Sequence, residues 1–156
     1  MEIAFCEKWW GARKRPLNII SEEAARTRHE KRKPYVALLG GVDHPRFVVD
    51  IAMEWATINF LDSQQRMYLS YNFIELEPGK LFLKGAYYWE YEKDSDAVKS
   101  CTIFNFDVSG QIVIAEAGET SEVREFETTA SVDENWDEYP AFGDYASLCV
   151  EERIIT

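Results

Sequence analysis

The chain has 156 residues, 46% hydrophobic and 14% aromatic, and carries 28 acids against 17 Lys and Arg for a formal charge of −11. That length suits one domain with its own core, and that composition excludes a disordered tail. The charge repels phosphate backbones and anionic bilayers and draws basic proteins, so nucleic acid and membrane are set aside as partners.

The charge is uneven. Residues 1–33 hold nine Lys or Arg and five acids, the remainder eight and twenty-three, which gives a basic end and an acidic body. Cys6, Cys101 and Cys149 are odd in number and widely spaced, which points away from a disulfide framework and toward a reducing cytoplasm. An early acid and the lack of a long apolar run argue against a signal peptide. No window reaches the roughly 18 apolar residues of a membrane-spanning helix.

In chain order, EIAFC at 2–6 predicts a short opening strand and GARKRP a basic loop, with Trp9 and Trp10 covering an open end or edge of the sheet. ISEEAARTRHEKRKP carries a helix signature. Ser21 is a good N-cap, Glu22 and Glu23 suit the positive end of the dipole, Arg and Lys fill the last turn, and Pro34 stops it. With only Ala24 and Ala25 apolar, this helix should lie on the surface and cover little. YVALLGG, RFVVDIAME, ATINFLD and RMYLSYNFIEL read as strands, with DSQQ as the turn between the last two. EPGK at 77–80 centres Pro and Gly in a type II turn. LFLKGAYYWEYE is then a period-two strand, expected to place Leu81, Leu83, Tyr87, Trp89 and Tyr91 on one core-facing side. CTIFNFD, QIVIAEA and VREFETTASV follow across short turns.

Parallel pairing needs long crossovers, and these connections are too short for them. The expected fold is α+β, mostly β: a curled antiparallel meander of about six or seven strands with one short N-terminal surface helix. The chain is read as a single domain, 1–156. Residues 1–45 give the first strand, basic loop and helix, and 46–132 the meander. Residues 133–156 give an acidic-aromatic loop and a tail, GDYASLCVEERIIT, that ends as a short helix or a last strand.

Catalytic patterns are missing. His29 sits among bases and His44 in a DHP turn, with no local nucleophile signature. No CxxC, HxxxH or EF-hand spacing suggests a metal, and LGGVD at 39–43 lacks the spacing of a phosphate loop and reads as a turn. Glu75, Glu90, Glu92 and Glu116 could pair as glycosidase carboxylates, but they fit better as solvated edge charges. No catalytic residue, metal or cofactor is assigned, and the chain is expected not to be an enzyme.

One stretch stands apart. SVDENWDEYPAFGDY, 131–145, interleaves five acids with four rings and holds no base. Neither a helical nor a strand period sorts rings from acids. Interface hot spots favour Trp and Tyr, while acids steer basic partners. The stretch is read as a partner-facing patch, with Trp136, Tyr139, Phe142 and Tyr145 as anchors and Asp137, Glu138 and Asp144 for steering. Rings tucked onto a sheet beneath solubilising acids are the bland reading of the same residues. Glu116, Glu119, Glu122, Glu125 and Glu127 extend the negative surface along the preceding hairpin.

The run EWATINFLDSQQRMYLSYNFIELEPGKLFLKGAYYWEYE, 54–92, resembles small bacterial immunity proteins encoded beside polymorphic and Rhs-type secreted toxins. The likeness lies in FLD, YLSYNF and PGKLFL and covers about a quarter of the chain. It implies a cytoplasmic protein that binds its cognate toxin domain and occludes the toxin's active site; it assigns no residue. Two other classes stay open. One is a small-ligand-binding β-barrel or curved sheet, or a weak hydrolase, with Trp89 and Tyr91 in an interior cavity. The other is an acidic DNA mimic. A free sheet edge would also permit a homodimer.

Overall fold

The computed structural model describes residues 1–119 and 122–151. Strands β1 (Ile3–Trp10) and β2 (Arg15–Ile20) form a hairpin, and helix α1 (Glu22–Glu30) follows. Then come β3 (Tyr35–Leu39), β4 (Phe47–Ile51), β5 (Trp55–Leu61), β6 (Met67–Glu77), β7 (Lys80–Tyr91), β8 (Val98–Phe106), β9 (Gln111–Ala117) and β10 (Val123–Thr129), with a three-residue β11 (Trp136–Glu138) near the end. All belong to one open sheet of order β10-β9-β8-β7-β6-β5-β4-β3-β1-β2, with β11 beside β7 and every pair antiparallel.

The mostly-β antiparallel architecture and the single helix follow from the sequence pattern, but the sheet has 11 strands, not six or seven. Two of the additional strands have no apolar alternation to announce them. β2 lies at the end of the basic loop and contains Pro16 and a left-handed Asn18 (φ 55°), while β11 is too short to show a period. Gly79 takes φ 76° in the EPGK turn, the positive value a type II turn needs at that position.

A bulge overturns one expectation for β7. Asn72 pairs with Gly85, but Phe73 pairs with Leu83, so Lys84 is an extra residue on β7. One inserted residue reverses the alternation. Leu81 and Leu83 therefore share the main core with Ala86, whereas Tyr87, Trp89 and Tyr91 emerge half-buried on the opposite face. There Tyr87 and Trp89 stack on each other, with ring centres 5.9 Å apart.

The main core fills one face of the sheet: Phe5, Tyr35, Ala37, Val49, Ile51, Ile58, Phe60, Leu69, Tyr71 and Phe73 are all buried there. A smaller cluster of Cys6, Val36, Leu38, Val48 and Leu61 lies on the other. The sheet curls. In sequence order across it, β1 and β7 are five strand spacings apart, about 24 Å if flat. Yet Lys14, in the turn after β1, reaches Asp96, in the loop after β7, at 3.0 Å.

Helix α1 is capped by Ser21, whose side chain accepts from the Ala24 amide. It covers more than its two alanines promised. Ala25 is fully buried, His29 packs on Tyr35, Tyr139 and Phe142, and Arg26 and Arg32 lie over the Phe142 and Tyr139 rings. The tail forms neither a regular helix nor a strand across its described part, which holds one 3₁₀ turn at Ala146–Leu148; residues 152–156 of that expectation lie outside the described residues.

Candidate functional site

The acidic-aromatic stretch is a strap over the main core, and its rings face inward. Asn135 is buried and donates from Nδ2 to the Leu83 carbonyl at 2.9 Å. Trp136 pairs with Phe82 across the β11–β7 ladder and packs edge-on against its ring. Tyr139 donates to the Ala52 carbonyl at 3.3 Å and lies 3.6 Å beneath the Arg32 guanidinium. Phe142 stacks on Phe5. Tyr145 is 1% exposed, and its hydroxyl is 2.8 Å from that of Tyr35. Further along, the Glu151 carbonyl accepts from Tyr71.

His29 joins this assembly from the helix, with Nδ1 2.7 Å from the Tyr35 hydroxyl. Burial lowers its pKa below the ordinary histidine value, while the Pro140 carbonyl works the other way. The two hydroxyls and the ring form one hydrogen-bonded chain, Tyr145–Tyr35–His29, with the Pro140 carbonyl as a further partner of the ring. Arg32 rivets the same corner. It grips Glu75 through both carboxylate oxygens at 3.2 and 3.3 Å and donates to the Met53 carbonyl at 3.0 Å. Burial raises the Glu75 carboxyl, but the Gly79 amide and Arg32 outweigh it and hold the pKa down.

The acids of the strap divide from its rings. Asp133, Glu134, Glu138 and Asp144 are exposed, and Asp137 is half-buried, accepting from Ser147 at 3.1 Å. The structure thus brings the four predicted anchor rings together as packing for the strap and leaves the acids on its outside.

The acidic edge of the sheet has a different character. β10 is exposed at all seven residues and pairs with β9 in an unbroken register from Val123↔Ala117 to Thr129↔Gln111. Among the described residues nothing pairs with its outer side. Glu125 and Glu127 point to one face of the sheet, Arg124 and Phe126 to the other, and Phe126 is 41% exposed. Glu116, Glu119 and Glu122 flank the hairpin.

The other end of the strand order is basic. A groove of about 860 Å³ between β1, β2 and α1 is lined by Lys8, Arg28, Lys31 and Lys33, with Glu7 as its only acid. Glu7 is taken by Arg28 at 2.7 Å.

The three thiols are free and none is activated. Burial, with help from the Asp50 charge, pushes Cys6 up to about 11, and burial alone pushes Cys149 up to about 12. A thiol needs a lowered pKa to act as a nucleophile near neutrality. Among the described residues, no three His, Cys, Asp or Glu gather where they could hold a metal ion, and no helix is long and apolar enough to cross a membrane. No family model, curated protein or solved structure matches this chain.

Proposed function

We propose that this chain is a non-enzymatic inhibitor that captures a basic protein, as an immunity protein captures its toxin, and that the β10 edge is its principal contact. The observation that carries the reading is β10 itself, a regular seven-residue strand with a free acidic edge. An extended segment can add to such an edge through main-chain hydrogen bonds, while side-chain charge selects the partner.

The two edges of the sheet are protected differently, and the difference favours this reading. Open edges are commonly blunted by proline, irregular backbone or charge. β2 has Pro16 and the left-handed Asn18. β10 has neither, and its protection is charge alone, Glu125 and Glu127 on one face and Arg124 on the other. Like charge deters a second copy of the same edge, so it weighs against a homodimer through β10. It attracts a basic strand and speeds the encounter. The strap acids Glu138 and Asp144 extend the negative field, with Asp137 behind them. Trp136, Tyr139, Phe142 and Tyr145 serve by holding the strap in place.

The test is calorimetry against the C-terminal domain of a large secreted protein, if the gene immediately upstream encodes one. Reversing two charges, Glu125→Lys with Glu127→Lys, should weaken binding at least about tenfold, as loss of close charge pairs does at other interfaces. The thermal midpoint should barely move, since both side chains are exposed. Unchanged affinity in a folded double variant would remove β10 from the interface.

A further inference from the structure

The face of the sheet opposite the main core carries a cleft of about 460 Å³ that lies apart from the β10 edge. Its walls come from four places in the chain: Trp9, Gly11, Ala12 and Lys14 of the β1–β2 hairpin, Asn59 and Leu61 of β5, Gln65, Arg66 and Met67 before and on β6, and Tyr91, Asp96 and Val98 around the β7–β8 loop. The volume is in the range of small-ligand pockets.

The walls are clipped together. Lys14 donates to Asp96 at 3.0 Å and to the Gln64 carbonyl at 3.1 Å. Arg66 donates from Nε to Asp62 and from Nη1 to the carbonyls of Lys93 and Ser95, and its guanidinium lies over Tyr91. Gln65, left-handed at φ 61°, donates to the Pro45 and Asp62 carbonyls and seals its Oε1 within the wall.

What remains unpaired is chiefly donors, with the exposed Asp96 Oδ2 as an acceptor at the rim. Arg66 has five N–H groups, and among the described residues none accepts from its Nη2 pair. Lys14 keeps a third N–H. Asn59 accepts from Ser70 at 2.8 Å through Oδ1, and among the described residues none accepts from its Nδ2. These free donors stay open to solvent, whereas Gln65 Oε1 does not. The cleft therefore offers donors beside Trp9, Leu61, Met67 and Tyr91. Asp62 and Asp96 balance Arg66 and Lys14, so the cleft has no net charge and selects a ligand by hydrogen-bond donors, not by a positive field.

We infer that this cleft binds a single carboxylate carried on an aromatic or apolar body. The carboxylate accepts from Arg66 Nη2, Asn59 Nδ2 and Lys14, and the body lies against Trp9, Met67 and Tyr91. The inference does not rest on the role proposed for β10. The same chemistry is offered by a free small acid or by the C-terminus of a peptide.

The experiment is NMR titration with indole-3-acetate and its neutral amide, indole-3-acetamide, and with a tripeptide ending in Phe as acid or amide. The acid forms should shift the Trp9 indole and Met67 methyl signals and bind at least about tenfold tighter than the matching amides, as expected for charge-assisted hydrogen bonds. Whichever acid is tighter identifies the source. Asn59→Asp, nearly isosteric, should abolish acid binding and spare the amides, and Lys14→Met should weaken the acids. Equal binding of acids and amides, shifts elsewhere, or no shift at millimolar ligand would overturn the assignment.

Discussion

His29 shows how much of this molecule depends on one neutral ring. It is hydrogen-bonded to Tyr35 and packs between helix and strap, with Arg26, Glu30 and Arg32 as the nearby charges. Its folded pKa lies below the unfolded value of about 6.5. The unfolded chain therefore takes up a proton first as pH falls. The stability that His29 contributes is complete above about 6.5 and is lost as pH drops toward the folded value. Urea unfolding from pH 8 to 5.5 should show this loss in the parent and a flatter profile in His29→Gln; identical slopes would contradict it. Gly110 is a second sensitive residue. It takes φ 94°, and a Cβ there would stand 2.7 Å from the Ala130 carbonyl oxygen. Gly110→Ala should cost about 1–3 kcal/mol in denaturant unfolding, as forced left-handed residues do.

At the scale of elements, the strap explains why rings and acids alternate without a period. It is neither helix nor long strand, so each ring is placed by its own contact: Phe82 for Trp136, Arg32 for Tyr139, Phe5 for Phe142, Tyr35 for Tyr145. Tyr145→Ala should destabilise by about 3–5 kcal/mol, the usual range for emptying a large aromatic site. Asp144→Ala, on the exposed side, should stay within about 0.5 kcal/mol. Thermal and urea unfolding of the pair separate packing from surface. Helix α1, its Ser21 cap and most of the meander were legible from local signals, because capping and alternation act over a few residues. The bulge at Lys84, the strand status of β2 and the inward set of the four rings were not. Each depends on a partner distant in the chain: Phe73 for the bulge, β1 for β2, and Phe5, Tyr35 and Phe82 for the rings.

At the scale of the molecule, the charge asymmetry read from the sequence becomes spatial. The meander carries the chain from β3 across to β10, so the basic N-terminal hairpin and helix lie at one side of the sheet and the glutamate-rich hairpin at the other. In the function proposed above, such a separation would orient a basic partner toward the acidic edge before contact. The sequence pattern placed a partner contact on the strap, where the structure shows the rings packed inward and most of the acids exposed; the contact proposed here lies at β10 instead. Hydrogen exchange of the β10 amides, measured free and in complex with a basic toxin domain that the chain binds, tests the central claim most directly. Augmentation of the edge predicts strong slowing at alternate amides between Val123 and Thr129, those facing away from β9. Unchanged exchange there, with protection gained at the strap or at β2, would contradict it.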